Sequence, residues 1–94
     1  MIDLGKVVQP DDVWVNDIAL APGYGRASQA VLEAISLMSK KEGILVDPVY
    51  SGKTVSCTLQ LLNNHALENF RNIIMIHTGG TPAIFAYREQ LTAI

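Results

Sequence analysis

Three short apolar runs alternate along this chain with longer stretches of helical periodicity. Val13-Trp14-Val15 is β-prone and closes on Asn16-Asp17. Ile44-Leu45-Val46 shows no polar alternation, so both its faces are expected to be covered, as in a parallel sheet. Ile73-Ile74-Met75-Ile76 is the clearest strand pattern in the chain. Before the second run, Val31, Leu32, Ile35, Leu37 and Met38 fall at helical spacing. Ser28 suits the N-cap, Lys40 and Lys41 the last turn, and Gly43 the position beyond it, so the spacing predicts a helix over 29–42. A second helix is expected from Gly52 to Asn63, with Val55, Leu59, Leu61 and Leu62 apolar and Asn63-Asn64 ending it. His65 to Phe70 reads as a further helical turn or two, closed by Asn72. Thr81-Pro82 opens a last helix to Leu91, with Pro82 suited to the first helical position. Gln9-Pro10-Asp11-Asp12 is a turn signal.

The order strand, helix, strand, helix, strand, helix predicts an α/β fold. The expected form is a small three-layer parallel sheet with alternating strands and helices and right-handed crossovers, with 1–94 forming a single α/β segment and at most one domain. Ligands of such sheets sit beyond the carboxyl ends of the strands. Tyr24, Tyr50, Ser51, His77 and Thr78 fall in loops at that end or leading from it. The corner Asp47-Pro48-Val49-Tyr50-Ser51-Gly52-Lys53-Thr54 carries a carboxylate, a phenol, hydroxyls and an ammonium. It lies where a starting helix leaves backbone N–H groups unpaired. A second such turn is His77-Thr78-Gly79-Gly80-Thr81-Pro82, and the two are expected to face one site. Pro22-Gly23-Tyr24-Gly25 reads as a tight loop presenting Tyr24.

Composition narrows the classes. Of 94 residues, 49% are hydrophobic and 17% charged, which is rich for so short a chain. Either the core is very efficient or some apolar surface awaits a partner. A net charge of −2 without a basic stripe argues against nucleic acid. The apolar runs are too short to span a membrane, and Met1-Ile2-Asp3-Leu4-Gly5 lacks a signal-peptide pattern. Cys57 has no partner for an internal disulfide and reads as buried packing, with a cytoplasmic home as the default. His77 has no second ligand at metal spacing, so no metal site is expected.

Two phosphate motifs are incomplete. Gly52-Lys53-Thr54 lacks the glycine a phosphate loop needs, because Asp47 stands there and Pro48 follows. Gly23-Tyr24-Gly25, with Ser28 and Asp47 downstream, has part of a dinucleotide spacing, but it does not follow directly from the run at Val13 and reads as a tight turn. Taken singly, Tyr50 is a packed aromatic, Asp47 a turn cap and His77 a hydrogen-bonded histidine. The residues by themselves give a small α/β unit with an anion- or cofactor-facing edge, and no reaction.

Three strings together resemble a known family. They are Pro22-Gly23-Tyr24-Gly25, the stretch from Glu42 through Asp47-Pro48-Val49-Tyr50-Ser51-Gly52 to Lys53, and the stretch from Ile76 through His77-Thr78-Gly79-Gly80-Thr81-Pro82 to Tyr87. In this order they resemble the C-terminal part of the D-cysteine desulfhydrase and 1-aminocyclopropane-1-carboxylate deaminase family, pyridoxal-phosphate enzymes of the tryptophan-synthase β fold. The resemblance covers about residues 12–88. It implies that Tyr50 is the proton-transfer or nucleophilic group beside cofactor and substrate, that Tyr24 and Thr78 line the pocket of a small amino-acid substrate, and that Ser51, with Thr78 and Gly79, faces the cofactor, Ser51 at its pyridine nitrogen. Deaminases of this family resemble one another in carrying glutamate and leucine where this chain has Ser51 and Thr78, so the resemblance implies the desulfhydrase branch. A hydroxyl there leaves the ring nitrogen largely unprotonated, a weaker electron sink than a carboxylate would support. β-Elimination of a thiolate from D-cysteine asks less of that sink.

The chain departs from the family in two places. Arg26-Ala27-Ser28 stands where the family has a proline-containing turn. The Schiff-base lysine and phosphate-cradling loop lie upstream in the family, and Lys6, Lys40, Lys41 and Lys53 do not match that lysine. Without it the covalent chemistry has no starting point. The expectation is therefore a C-terminal segment of a pyridoxal-phosphate-dependent lyase, inactive alone, completed by the missing N-terminal part. One alternative is a stand-alone, non-catalytic oligomerising or binding module, with a homo-oligomer expected. Another is a segment of the deaminase branch.

Overall fold

The computed structural model describes residues 7–94. Lys6 and the stretch Met1-Ile2-Asp3-Leu4-Gly5, read above as lacking a signal-peptide pattern, lie outside them. Two helices form the centre, α1 (Gln29–Glu42) and α2 (Ser51–Asn63). The α1 boundaries follow from its ends. Ser28 Oγ accepts from Val31 N at 3.3 Å, and Gly43 closes the helix in the left-handed region at φ 65°. The core consists of Val31, Ala34 and Ile35 from α1, Val46 from the connection and Val55 from α2, with Ala27, Met38, Leu59 and Leu91 packed against it. Each fully buried aliphatic side chain of this kind contributes roughly 1.5–3 kcal/mol. Leu37, on the expected apolar stripe, is instead exposed.

The helices meet closely at Gly52. A Cβ there would lie 2.4 Å from Asp47 O and 3.0 Å from the Ile35 side chain. Only glycine lets the start of α2 settle onto its own corner and onto α1. At its far end, α2 stops at Asn64, and His65 turns left-handed at φ 60° while Ala66 N reaches Leu61 O at 2.9 Å. Residues 64–69 are turns rather than the expected helical continuation. The last helix starts as a 3-10 helix, Thr81–Tyr87, with Pro82 in its first turn, and becomes α3 (Arg88–Thr92). Near the start, a 3-10 turn at Pro10–Asp12 is tied by Gln9 N to the Asp12 carboxylate at 2.8 Å, and Trp14 sits edge-on to Phe70 with ring centroids 5.7 Å apart.

The expected three-layer parallel sheet is not formed. Among the described residues there are no strands, and the only β-bridge is the local one between Gly23 and Arg26. The reason lies in what a strand needs. Its backbone groups must pair with another segment laid alongside, and none of the three apolar runs has such a ladder among the described residues. Ile44 N closes back onto Met38 O, and Leu45 O is met by the imidazole of His77 at 2.8 Å rather than by a backbone amide. Ile74 and Ile76 remain 88% and 76% exposed. β-Propensity marked the runs correctly as apolar but could not supply a neighbour.

The result is an open molecule. Its radius of gyration is 15.0 Å, against about 12 Å for a compact domain of this length. No helix among the described residues is long and apolar enough to cross a membrane.

Candidate functional site

The corner before α2 is built around one carboxylate. Asp47 is fully buried. Its Oδ2 accepts from Val49 N and Tyr50 N, each at 2.8 Å, and its Oδ1 accepts from Ser51 N at 2.8 Å and Ser51 Oγ at 2.6 Å. Asp47 N donates back to Ser51 Oγ at 2.9 Å, and Gly52 N to Asp47 O at 2.7 Å. Burial alone would push this carboxyl up. The Ser51 hydroxyl and the Ser51, Tyr50 and Val49 amides outweigh it and hold the group below its ordinary value. The carboxylate thus satisfies amides that the helix start leaves over, and it fixes how Tyr50 and Ser51 leave the corner.

Tyr50 and Tyr24 come together. Their hydroxyls are hydrogen-bonded, and their rings stand edge-on with centroids 6.1 Å apart. Both face solvent, Tyr24 at 79% and Tyr50 at 53% exposure. The Tyr24 hydrogen bond, then the charge a second phenolate would meet there, then partial burial and Asp47, push the Tyr50 phenol above its ordinary value. Tyr50 thus keeps its proton to higher pH than an ordinary phenol does. The loop carrying Tyr24 is tied at two places. Lys53 Nζ donates to Gly23 O at 2.9 Å and Leu20 O at 3.2 Å, and the Tyr87 hydroxyl donates to Gly25 O.

The second turn meets the first. Gly80, at φ 89°, lies so close to Asp47 that a Cβ would come within 2.9 Å of the carboxylate. His77 braces the approach, with Nε2 on Leu45 O and Nδ1 accepting from Gly79 N at 3.0 Å. Thr78 is exposed and, among the described residues, its side chain makes no hydrogen bond. Ser51 borders a small apolar cavity of about 90 Å³, walled in part by Val46, Met75, Ile76 and His77.

Of the candidate residues, Tyr24, Tyr50 and Ser51 gather at one corner, with Gly79 and Thr78 on the adjoining turn. Ser51 differs from expectation in one respect. Its single proton is spent on Asp47, and its oxygen already accepts from Asp47 N. Cys57 is half-buried rather than buried, with burial pushing its thiol up. No cluster of three or more metal-ligating side chains is present among the described residues.

The donor set fits only one side of a pyridoxal-phosphate site. A hydroxyl and two phenols are there. The one lysine at the corner, Lys53, is engaged by two carbonyls, and Lys40 and Lys41 sit in the last turn of α1. The roles of Lys53 and Tyr87 escape a reading of the sequence, because backbone carbonyls as acceptors leave no mark in it, whereas His77 is hydrogen-bonded as its sequence reading has it. Asp47 was legible as a turn cap.

No family model matches this chain. Over 88 residues it is 42% identical to D-cysteine desulfhydrase of Yersinia enterocolitica, a match covering 94% of this chain and 27% of that protein. Proteins of the same name from Salmonella newport and Salmonella heidelberg are 41% identical over 80 residues, covering 85% of this chain and 24% of theirs. The matched stretch is the C-terminal part of those relatives, so the chain spans about a quarter of their length.

Proposed function

We propose, from the homology of this chain to the C-terminal part of the D-cysteine desulfhydrases, that it forms the phenol and hydroxyl side of a desulfhydrase-like site and is inactive alone. The reaction class is conversion of D-cysteine and water to pyruvate, sulfide and ammonia. The observation that carries the reading is the meeting of the Tyr24 and Tyr50 hydroxyls on the corner that also holds Ser51. When bound, pyridoxal phosphate would supply the electron sink for carbanion chemistry. This chain's own residues then have separable tasks. Tyr50, kept protonated by Tyr24, holds and delivers a proton at its phenolic oxygen. Tyr24 and Thr78 would border the substrate, and Gly79 would let its backbone come close to the cofactor.

Ser51 would address the ring nitrogen, but its proton must first leave Asp47. Otherwise its oxygen serves only as an acceptor. The relatives' name and the Ser51–Thr78 pair support the desulfhydrase branch over the cyclopropane one.

The test is incubation of the purified chain with pyridoxal phosphate and D-cysteine. We expect no sulfide and no stoichiometric visible absorbance from bound cofactor. Sulfide release by the chain alone would overturn the reading.

A second reading is favoured by the exposed run at Ile73–Ile76. Bare apolar edges seek partners, and the chain would then serve as an oligomerising module with itself as partner. Sedimentation at dilute concentration decides this: a monomer at all concentrations removes it.

A further inference from the structure

We propose that Lys53 is a positioning residue whose ammonium clamps the Tyr24 loop onto the start of α2 and thereby holds the Tyr24 hydroxyl on that of Tyr50. This deepens the reading above, since it concerns what keeps the two phenols together, but the clamp itself is testable without cofactor or substrate.

Three observations carry it. First, Lys53 Nζ lies on two carbonyls of one turn, Gly23 O at 2.9 Å and Leu20 O at 3.2 Å, 30 and 33 residues away in sequence. A single ammonium is thus the crosslink between distant segments. Second, burial does not hold Tyr24. The residue is 79% exposed, so polar contacts must fix it. Among the described residues these are the Tyr50 hydroxyl, the Lys53 pair, Arg26 N on Gly23 O within the loop and, behind it, the Tyr87 hydroxyl on Gly25 O. Third, the position of Lys53 is a poor one for the helix. A cation in the first turn opposes the helix dipole, and the two carbonyl oxygens compensate by giving that charge acceptors.

The groups facing Tyr50 are Tyr24 from the loop and Asp47 from the corner, with Lys53 within one turn along α2. Losing the Tyr24 contact removes the largest influence holding the Tyr50 phenol above its ordinary value. The readout is therefore the reactivity of Tyr50 as phenolate. It is measured at about pH 8, where nitration of an unpaired phenol is readily followed.

The experiment is tetranitromethane nitration of the full chain, followed by peptide mass spectrometry of Tyr24, Tyr50 and Tyr87. Tyr24→Phe sets the rate for an unpaired Tyr50. Lys53→Met keeps the aliphatic stem and should raise Tyr50 nitration several-fold, to the Tyr24→Phe level, with helical circular dichroism retained. Lys53→Arg, which keeps charge and donors, should stay near wild type. A folded Lys53→Met with wild-type Tyr50 reactivity would overturn the proposal. A second arm uses only the wild-type chain and decides the matter if Lys53→Met fails to fold. In reductive methylation, Lys53 should label several-fold more slowly than the exposed Lys40 and Lys41, and equal rates would overturn the clamp. Neither arm depends on D-cysteine turnover, so failure of the functional reading leaves this result interpretable, and the reverse.

Discussion

The Asp47 corner and the run at Ile73–Ile76 are opposites built from equally suggestive sequence. At the corner a buried carboxylate accepts from four donors, all within four residues of it in sequence, and Val46 beside it is only 2% exposed. In the run, four successive large apolar residues lie against little, and Ile74 is 88% exposed. The difference is one of range. The carboxylate at the corner finds all its hydrogen-bond donors within four residues, so that network closes by itself. The run needs a segment laid alongside, and none of the described residues provides one. Hydrophobicity gives a residue the capacity to be buried, whereas burial itself requires a neighbour.

The largest expected effect is at the corner. Asp47→Ala removes the acceptor of four donors, two of them on Ser51. Leaving such donors unpaired should cost roughly 3–5 kcal/mol, read as a lowered denaturant midpoint by circular dichroism. A loss below about 1 kcal/mol would mean that water replaces the carboxylate and that the corner is not self-closing. Gly52→Ala should follow at about 3 kcal/mol, since its Cβ would sit 2.4 Å from Asp47 O, a backbone atom that cannot swing aside.

Acid tests the same corner by protonation. The folded-state value of Asp47 is depressed below its ordinary 3.8. A depressed carboxyl contributes stability that is complete above the unfolded value and is lost as pH falls toward the folded one. The stability gap between wild type and Asp47→Asn should therefore be steady at neutral pH and narrow as the pH drops below about 4. A gap that widens in acid contradicts the hydrogen-bonded carboxylate.

The contrast also explains what the sequence could and could not convey. The α1 boundaries at Gln29 and Glu42 were legible because Ser28 and Gly43 act within a turn of the helix ends. The α2 start was legible to one residue for a similar reason. The three apolar runs were visible, but pairing is not a property of a run, and the sheet inferred from their order does not exist among the described residues. At the site, Tyr24 and Tyr50 were each recognisable from family-like strings, and the closeness of the two turns was anticipated. Their hydroxyl contact across 26 residues was not, because it depends on Lys53 gripping carbonyls that every residue type possesses.

The smallest effect on stability is expected at Ile74, and it bears most directly on the comparison. Val55 and Ile74 are both β-branched aliphatics. Val55, only 3% exposed, packs in the core, and its truncation to alanine should cost about 2 kcal/mol. Ile74→Lys is chemically harsher, yet at an exposed position with no buried contact it should shift unfolding by less than about 0.5 kcal/mol. If the run serves a partner, the same lysine should weaken self-association, because burying its charge against an apolar face is unfavourable. Sedimentation and denaturation of the two variants side by side separate the possibilities. An Ile74→Lys chain that loses as much stability as Val55→Ala would show that the run is packed within the fold, and the distinction between a self-closing corner and a partner-seeking edge would fail.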